Sequence, residues 1–388
     1  MKILLIHNHY QQAGGEDSVL AAEARLLAHH GHEVQLWSVD NKDLPGGLRG
    51  KIEVALSTRY SQSSKAIATD KLRAFQPDVV HVHNFFPQIS PSIYDACHDA
   101  GVPVVQTLHN YRLICPGALL MRDGHICEQC ITGSPYRAAL YGCYRDSKLG
   151  SLVVADMVAY HRRRGTWQRK VDRFIALTEF AKRKFVQAGF PEGKISVKPN
   201  FVAASSSGGE TARAGDFALF VGRLSREKGI ATLAQAWPLL DGRLQLKVAG
   251  TGDLSQSIQG MADVTCLGHQ SAEAVAGLMR QAAFLVMPSE WYEGFPMVLV
   301  EAFANGLPVL ASRLGGMAEI VKDGETGLLF EPANPQDLAA KAQWLIEHPD
   351  ERRRLGENAR AAYLANYTPE RNYQQLLAVY EAAVGDAV

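Results

Sequence analysis

Short apolar runs alternate with longer stretches of helical character through the first half of the chain. Apolar runs of four to eight residues are typical of buried parallel strands, and the stretches between them are typical of helices that cover a sheet. The predicted elements are strand Lys2–Ile6, a helix from the Gly14-Gly15 turn to about His30, strands Glu33–Val39 and Asp78–His83, helix Ile89–Ala100 and strand Val102–Thr107. This alternation predicts an α/β fold with a doubly wound parallel sheet.

The same pattern begins again after a polar segment rich in serine and glycine, which predicts a linker over residues 205–214. The predicted elements beyond it are strand Asp216–Val221 and helices Ala272–Gln281, Met297–Ala304, Pro335–His348, Glu351–Ala365 and Glu370–Val384. We therefore predict two Rossmann-like domains over 1–204 and 215–366, followed by a final helix in 367–388. A chain of 388 residues with 47% hydrophobic content is long enough for two such cores.

Charge and hydropathy limit the kind of partner and the cellular location that we expect for this protein. The formal net charge is zero. However, residues 1–214 hold 26 Lys and Arg against 19 Asp and Glu, and residues 215–388 hold 14 against 21. The first half is therefore basic by seven charges, which favours a negatively charged partner or an ordinary solvated surface. The sequence contains no apolar run of membrane-spanning length, and its first ten residues are too polar for a signal peptide, so we expect a cytoplasmic protein.

Two glutamates define the most informative segment, Pro288–Ser312. Glu293 lies in a loop before Gly294-Phe295-Pro296, and Glu301 lies seven residues further on in the predicted helix MVLVEAFA. Pro296 suits the first turn of that helix because its missing N–H costs nothing there. The N-terminus of a helix attracts phosphate, and an acid among apolar neighbours is costly unless a polar group meets it. The segment could therefore hold hydroxyls at both ends and a phosphate between them, although two solvated glutamates are the simpler alternative.

The E-x7-E block, with its EGFP loop and the following GLPVLAS strand, closely resembles the signature of retaining glycosyltransferases with the GT-B fold, especially family 4. Three further motifs occur in the family's order, namely a Gly-Gly turn, a histidine that ends strand VVQTLH, and the R-x4-K pair of GRLSREKG. The resemblance covers nearly the whole chain. It implies two domains that face a cleft and a C-terminal helix that crosses back to the first domain.

The resemblance also assigns roles to individual residues. It implies that Arg223 and Lys228 neutralise a diphosphate, Glu301 accepts ribose hydroxyls, Glu293 accepts sugar hydroxyls and His109 contacts the donor sugar near its reacting carbon. The predicted catalytic residues are His109, Arg223, Lys228 and Glu293. The predicted donor-binding residues are Gly14, Gly15, Arg223, Lys228, Glu293, Gly294, Phe295, Pro296 and Glu301.

No metal is expected in catalysis. The chain has no Asp-x-Asp, the carboxylate pair by which metal-dependent transferases hold a divalent ion, and two cations could offset the charge of the leaving group directly. The resemblance further implies that no protein side chain acts as nucleophile and that the leaving phosphate takes the acceptor proton.

Polar residues follow several predicted strands of the first domain, where doubly wound sheets bind their ligands. They are His9, Gly15, His83, Asn84, His109 and Asn110. We interpret His81, two positions before His83 on the same strand, as a hydrogen-bonded core histidine.

Four of the six cysteines lie in the segment 115–143, as Cys115, Cys127, Cys130 and Cys143. Four thiolates suit a tetrahedral zinc, and a cytoplasmic setting argues against disulfides. The spacing of eleven, two and twelve residues does not match a standard finger. The sequence leaves a structural zinc and four packed, reduced thiols both open.

Cations crowd the stretch 162–173, where Arg162, Arg163, Arg164, Arg169, Lys170 and Arg173 surround Trp167. An aromatic among cations suits an anionic membrane surface, with nucleic acid as the rival partner and a solvated helix as the commonest explanation. We expect no nucleic acid, and we predict peripheral contact with the inner face of the cytoplasmic membrane.

The sequence thus predicts a retaining glycosyltransferase that moves a sugar from a UDP- or GDP-sugar to a hydroxyl of a saccharide, lipid-linked, in polysaccharide or glycolipid synthesis. A nucleotide-binding oxidoreductase is the weaker alternative because G-x-G-x-x-G is missing. A non-enzymatic protein stabilised by zinc, and a transferase for a soluble acceptor, stay open.

Overall fold

The computed structural model describes residues 1–10, 14–43, 47–203 and 215–386, with the side chains of 48, 49, 51, 52 and 386 left aside. The predicted linker 205–214 lies outside the described residues. The strands are β1 Lys2–His9, β2 Glu33–Asp40, β3 Val79–Val82, β4 Val104–Leu108, β5 Met121–Arg122, β6 His125–Ile126, β7 Arg173–Ala176, β8 Ile195–Val197, β9 Phe217–Val221, β10 Gln245–Ala249, β11 Val264–Gly268, β12 Phe284–Met287, β13 Val309–Ser312 and β14 Gly327–Phe330.

The helices are α1 Gly15–His29, α2 Gly47–Arg59, α3 Gln62–Phe75, α4 Ile93–Asp99, α5 Gln129–Thr132, α6 Arg137–Tyr141, α7 Lys148–Arg164, α8 Thr166–Arg169, α9 Glu179–Gln187, α10 Ile230–Ala236, α11 Ala272–Gln281, α12 Met297–Ala304, α13 Met317–Ile320, α14 Pro335–Glu347, α15 Pro349–Asn366 and α16 Pro369–Asp386. Helices α2 and α3 are among those added to the predicted set.

The first compact unit comprises residues 1–122, 127–199 and 372–388. Its sheet has the order β2-β1-β3-β4-β7-β8, and the paired strands are parallel throughout. The order reverses direction between β1 and β3, which is the position where doubly wound sheets bind ligands beyond the carboxyl ends of the strands. The residues that follow β1 and β3 are therefore the ones to inspect for a site.

Most of the final helix, α16, belongs to this first unit. The hydroxyl of Tyr380 forms a 2.8 Å hydrogen bond with Nδ1 of His81, whose Nε2 bonds to the hydroxyl of Thr107 at 2.7 Å. Both ring nitrogens of His81 are thus satisfied in the core, where burial lowers the pKa of the imidazole well below its usual value. The interpretation of His81 as a core histidine and the predicted return of the C-terminal helix are confirmed.

The second compact unit comprises residues 123–126 and 200–371. Its sheet has the order β11-β10-β9-β12-β13-β14, again with parallel pairs. Apolar residues fill both faces, with Phe220, Leu233 and Trp237 in one cluster and Leu285, Leu299 and Phe303 in the other. The sheet changes direction between β9 and β12. The predicted α/β fold with two parallel-sheet domains is therefore confirmed.

Candidate active site

An ion pair stands at the direction change of the second sheet. Nζ of Lys228, in the loop that follows β9, lies 2.7 Å from Oε1 of Glu293, in the loop that follows β12. The hydroxyl of Ser289 donates a second 2.7 Å hydrogen bond to the same oxygen. The Glu293 carboxylate is nearly buried, while Lys228 keeps 18% of its side chain exposed and lies 5.7 Å from the centre of the Trp291 ring. The structure thus brings together two residues that are 65 positions apart.

Glycines allow the two loops to meet this closely. Gly229 has a φ of +70°, and a Cβ there would come within 1.8 Å of the carbonyl oxygen of Pro288. Gly250, after β10, has a φ of +154° and would meet the carbonyl oxygen of Gly222 at the same distance. Only glycine fits such contacts, so the loops after β9, β10 and β12 form one bare backbone surface.

The second predicted cation, Arg223, is more exposed than Lys228. Its Nη2 lies 3.2 Å from Oε1 of Glu227, and 64% of its side chain remains accessible. An exposed ion pair of this kind contributes little to stability, so the guanidinium can exchange its partner at small cost. Arg223 and Lys228 follow the same strand, but they differ in how firmly the fold holds them.

The segment from Gly294 to Glu301 enters helix α12. Pro296 is the residue before the first helical residue, Met297, and the ring of Phe295 lies 6.2 Å from the ring of Tyr367. Glu301 lies on the helix in a half-buried position, where burial raises the pKa of its carboxyl. A carboxyl that is partly stripped of water gains most from a hydroxyl partner.

The first domain holds a chain of buried polar groups beneath the direction change of its sheet. Nδ1 of His83 and Nε2 of His109 share a 3.0 Å hydrogen bond, and Nε2 of His83 lies 3.5 Å from Oε2 of Glu23. Nζ of Lys198 closes the chain 2.6 Å from Oε1 of Glu23. Burial lowers the pKa of both imidazoles well below its usual value, so both rings are neutral.

The geometry favours one arrangement of the protons on the rings of His83 and His109. A carboxylate beside Nε2 of His83 favours a proton on that nitrogen, which leaves Nδ1 to accept a hydrogen bond from Nε2–H of His109. Glu23 and Lys198 are absent from the predicted site. Their only sequence signal is a charged residue inside an otherwise apolar stretch, and they are 175 positions apart.

A small cavity of about 30 Å³ lies beside these histidines. Its lining includes His83, Asn84, His109, Asn110 and Arg112. Four of these five are predicted strand-end residues. The guanidinium of Arg112 lies 4.3 Å from the centre of the Phe86 ring, and both residues line the cavity. The carboxyl ends of β3 and β4 thus present imidazole, amide and guanidinium groups together.

The turn after β1 contains Gly14 and Gly15, of which Gly15 begins α1. Gly14 donates its N–H to Oδ2 of Asp17 at 2.8 Å, and Oδ1 of Asp17 lies 2.8 Å from one ring nitrogen of each of His7 and His9. These partners lower the pKa of Asp17 to about 2 against the effect of burial. The carboxylate therefore fixes the glycine turn to the end of β1. Residues 11–13 of the same turn lie outside the described part.

Glu16 follows this turn and lies among Tyr10, Asp17, Asn110 and Arg112. Burial, followed by the charge of Asp17, raises the pKa of Glu16 to about 8, while Arg112 and hydrogen bonds with Tyr10 and Asn110 act in the opposite direction. Asn110 also donates a 3.1 Å hydrogen bond to the hydroxyl of Tyr10. Glu16 therefore titrates near neutral pH at the edge of the candidate site.

The four cysteines of the segment 115–143, which we call the insertion, lie close enough together that their charges add to burial in raising the thiol pKa values of Cys130 and Cys143. Burial, followed by the charges of Cys115, Cys143 and Cys127, raises the pKa of Cys130 to about 12. The N–H of Cys127 donates to the carbonyl of Leu120 at 2.8 Å. Among the described residues, two groups of three possible ligand atoms lie within 4.8 Å of one another, and they are His7, His9, Asp17 and Glu23, His81, His83. The four sulfurs are not such a group, so the zinc site stays a prediction.

Most of the cations in 162–173 have structural partners. Arg162 donates to the carbonyls of Gly133 and Cys130, and Arg164 and Lys170 both pair with Asp95. Trp167 is 2% exposed, in the core. The expectation that Trp167 adds burial at a membrane interface is therefore wrong, since its ring packs against Phe85 and Phe190 instead. None of the helices in the described ranges has both the length and the apolar character to span a bilayer.

Comparison with known proteins gives the class. Residues 13–206 match the family model described as Glycosyltransferase Family 4, and residues 210–362 match the model of Glycosyl transferases group 1. A solved structure of Anabaena Alr3699/HepE in complex with UDP and glucose has a TM-score of 0.66 at 21% identity and covers 98% of this chain and 99% of that one. The fold is thus that of the two-domain GT-B glycosyltransferases. The chain belongs to glycosyltransferase family 4.

Curated relatives agree with this family. An uncharacterized glycosyltransferase of Methanocaldococcus jannaschii, MJ1178, is 41% identical over 151 residues, which is 37% of this chain and 42% of that protein. The D-inositol 3-phosphate glycosyltransferase of Arthrobacter sp. strain FB24 is 28% identical over 422 aligned positions, with 96% of this chain and 91% of that one covered. Several relatives with higher identity are matched over only 31% to 56% of their own length.

Proposed function

We propose that this enzyme transfers a sugar from a nucleoside diphosphate donor to a hydroxyl of a lipid-linked saccharide, with retention of anomeric configuration. The observation that carries the proposal is the pair formed by Lys228 and Glu293 at the direction change of the second sheet. A cation beside a hydroxyl-accepting carboxylate is what a sugar diphosphate requires. UDP and glucose occupy the Anabaena structure, and a donor of the same chemical class is our proposal for this chain.

The second domain would hold the donor. Lys228 and Arg223 offset the charge that develops on the diphosphate as the bond to the sugar breaks. The N-terminus of α12 favours a phosphate through its N–H groups and its dipole. Glu293 accepts sugar hydroxyls and keeps the ammonium of Lys228 in place, while Glu301 accepts the ribose hydroxyls. Gly294, Phe295 and Pro296 shape the loop between these two glutamates.

The first domain would supply the acceptor side and one donor contact. His109, fixed as a neutral imidazole by His83, would contact the sugar near its reacting carbon. The bare turn at Gly14 and Gly15 would approach the donor through backbone. The leaving phosphate, rather than a side chain, would take the proton of the acceptor hydroxyl.

We also propose that the reaction needs no metal, because Arg223 and Lys228 could offset the diphosphate charge that a metal would otherwise offset. The proposal predicts that EDTA leaves transfer intact. Loss of transfer in EDTA with recovery in magnesium would overturn this part of the mechanism.

The cysteines would hold a zinc that is structural and separate from catalysis. Elemental analysis of the purified protein should find about one zinc per chain, and Cys130→Ser should lower that content. Cys266→Ser is the matched control, because Cys266 is an exposed residue of β11 and lies outside the segment 115–143. Metal-free protein with four thiols that react with an alkylating agent would favour packed, reduced cysteines.

Two experiments test the central proposal. A thermal-shift panel of UDP, GDP and NAD should show stabilisation by a nucleoside diphosphate, since a ligand at a hundred times its Kd adds about 2.7 kcal/mol. Radiolabelled nucleotide sugars incubated with a lipid extract should then place label in the organic phase. Stabilisation by NAD alone would favour an oxidoreductase, and label in water-soluble products alone would favour a soluble acceptor.

A further inference from the structure

A patch of exposed apolar side chains lies beside the cysteine segment, and we name it the insertion patch. Its members are Leu140, Tyr141, Leu149 and Leu152, with exposures between 44% and 77%. The described residues contain nine exposed large hydrophobic side chains, and four of them fall within these thirteen positions. Single exposed leucines need no explanation, but a cluster of this kind marks an interaction surface.

The two helices that carry the patch, α6 and α7, pack against each other across a short turn, which the hydroxyl of Ser151 ties down by accepting the N–H of Tyr144 at 2.8 Å. Leu149 and Leu152 are three residues apart, so they share one face of α7. The opposite face is in the core, where Val154, Met157 and Val158 are fully buried. The outward leucines are therefore surplus to the packing of this domain.

Cations surround the patch. Arg137, Arg145 and Lys148 are exposed, and Asp146 is the only acidic residue between positions 137 and 152. The guanidinium of Arg122 lies 4.0 Å from the centre of the Tyr141 ring, which places a further positive charge beside the patch. Apolar side chains ringed by cations match an anionic bilayer, whose phosphates meet the cations while the leucines enter the acyl boundary.

We propose that the insertion patch docks the enzyme on an anionic membrane surface. The proposal moves the membrane contact from the cations of 162–173, several of which are paired within the domain, to the N-terminal end of α7. It rests on the proposed function, since a lipid-linked acceptor requires the enzyme to work at a bilayer. The mode of contact is shallow insertion of side chains.

Vesicle sedimentation tests the patch directly. The full-length protein should sediment with vesicles of phosphatidylglycerol and phosphatidylcholine, less with phosphatidylcholine alone, and less again as salt rises. Leu149→Ser combined with Leu152→Ser should lower the partition coefficient at least about tenfold, because the bilayer loses two leucines that would insert into it. Arg137→Gln, Arg145→Gln and Lys148→Gln together should lower it mainly on anionic vesicles.

Matched controls come from exposed residues elsewhere. Leu239→Ser with Leu364→Ser removes two exposed leucines of the second domain, and Arg25→Gln with Arg183→Gln removes exposed cations of the first. Both controls should sediment like the parent protein. Thermal melting of every variant should be unchanged, since all these side chains face solvent. Equal losses in patch and control variants, or equal binding to neutral and anionic vesicles, would overturn the proposal.

Hydrolysis of the nucleotide sugar without vesicles separates the two proposals. The patch variants should retain this activity while they lose vesicle binding and transfer to lipid. A parent protein that transfers sugar to lipid but never sediments with vesicles would overturn the docking surface and leave the function standing. A parent protein that sediments through the patch but uses no nucleotide sugar would support the docking surface and overturn the proposed function. Binding of a second protein instead of vesicles would also refute the bilayer as the occupant.

Discussion

Each domain contains a lysine–glutamate pair, and the two pairs have nearly equal length but different exposure. Lys228 and Glu293 lie 2.7 Å apart at the second sheet, and Lys198 and Glu23 lie 2.6 Å apart at the first. Lys228 keeps 18% of its side chain exposed, whereas Lys198 keeps 1%. A cation that reaches solvent can turn to a substrate anion, while a fully buried one can only hold its partner. Exposure, rather than distance, separates the two roles.

The largest effect is expected on stability, when the buried pair of Lys198 and Glu23 is broken. Lys198→Met leaves the carboxylate of Glu23 uncompensated in the core, which should lower the free energy of unfolding by about 3–5 kcal/mol. Chemical denaturation measures the change. The double variant with Glu23→Gln removes the stranded charge and should recover much of the loss. A single variant as stable as the parent would contradict the assignment of this pair as a structural support.

The Lys228–Glu293 pair, whose lysine reaches solvent, should behave in the opposite way. Lys228→Ala should cost roughly 2–4 kcal/mol of transition-state stabilisation, because it removes a charge aimed at the leaving group, with little change in the melting temperature. Donor hydrolysis and transfer assays give kcat and KM. Arg226→Ala, at a neighbouring position in the same loop, is the control and should keep most activity. A Lys228 variant that unfolds but stays active when folded would make both pairs structural.

His83 lies between Glu23 of the buried pair and His109, the predicted catalytic histidine. His83→Leu should lower kcat by up to about tenfold at nearly constant KM, since His109 loses the hydrogen bond that sets its tautomer. His83→Asn keeps an acceptor near Nε2 of His109 and should recover part of the rate. If both variants lost the same activity, the effect would come from packing and not from the tautomer.

The smallest effect concerns Glu16 and pH. Its pKa of about 8 in the folded protein exceeds the ordinary value of 4.5, so the folded state binds more protons between these values and stability falls as pH rises through this window. Glu16→Gln mimics the protonated acid. It should match the parent near pH 4.5 and exceed its stability by about 1 kcal/mol or more at pH 8. Parallel stability curves for the two proteins would refute the shift.

The sequence predicted elements whose signals are local. Helices α11 and α12 have the predicted bounds Ala272–Gln281 and Met297–Ala304. Ser271 caps the first by accepting the N–H of Ala274, and Pro296 precedes the second. The alternation of strands and helices likewise gave the fold class. The resemblance to family 4 rested on short contiguous motifs, which keep their meaning without a structure.

Only the tertiary structure decided which residues share a site. Sheet order places β3 between β1 and β4, and this adjacency brings His83 to His109. Glu23, in α1, meets Lys198, the residue after β8, only in the folded core. The sequence did not predict burial correctly either. Trp167 is surrounded by cations in the sequence and was expected at a membrane interface, but it lies in the core. Capping and periodicity act within a few residues, so sequence records them directly. Ion pairs between residues 65 or 175 positions apart depend on how strands are ordered, which no local pattern encodes.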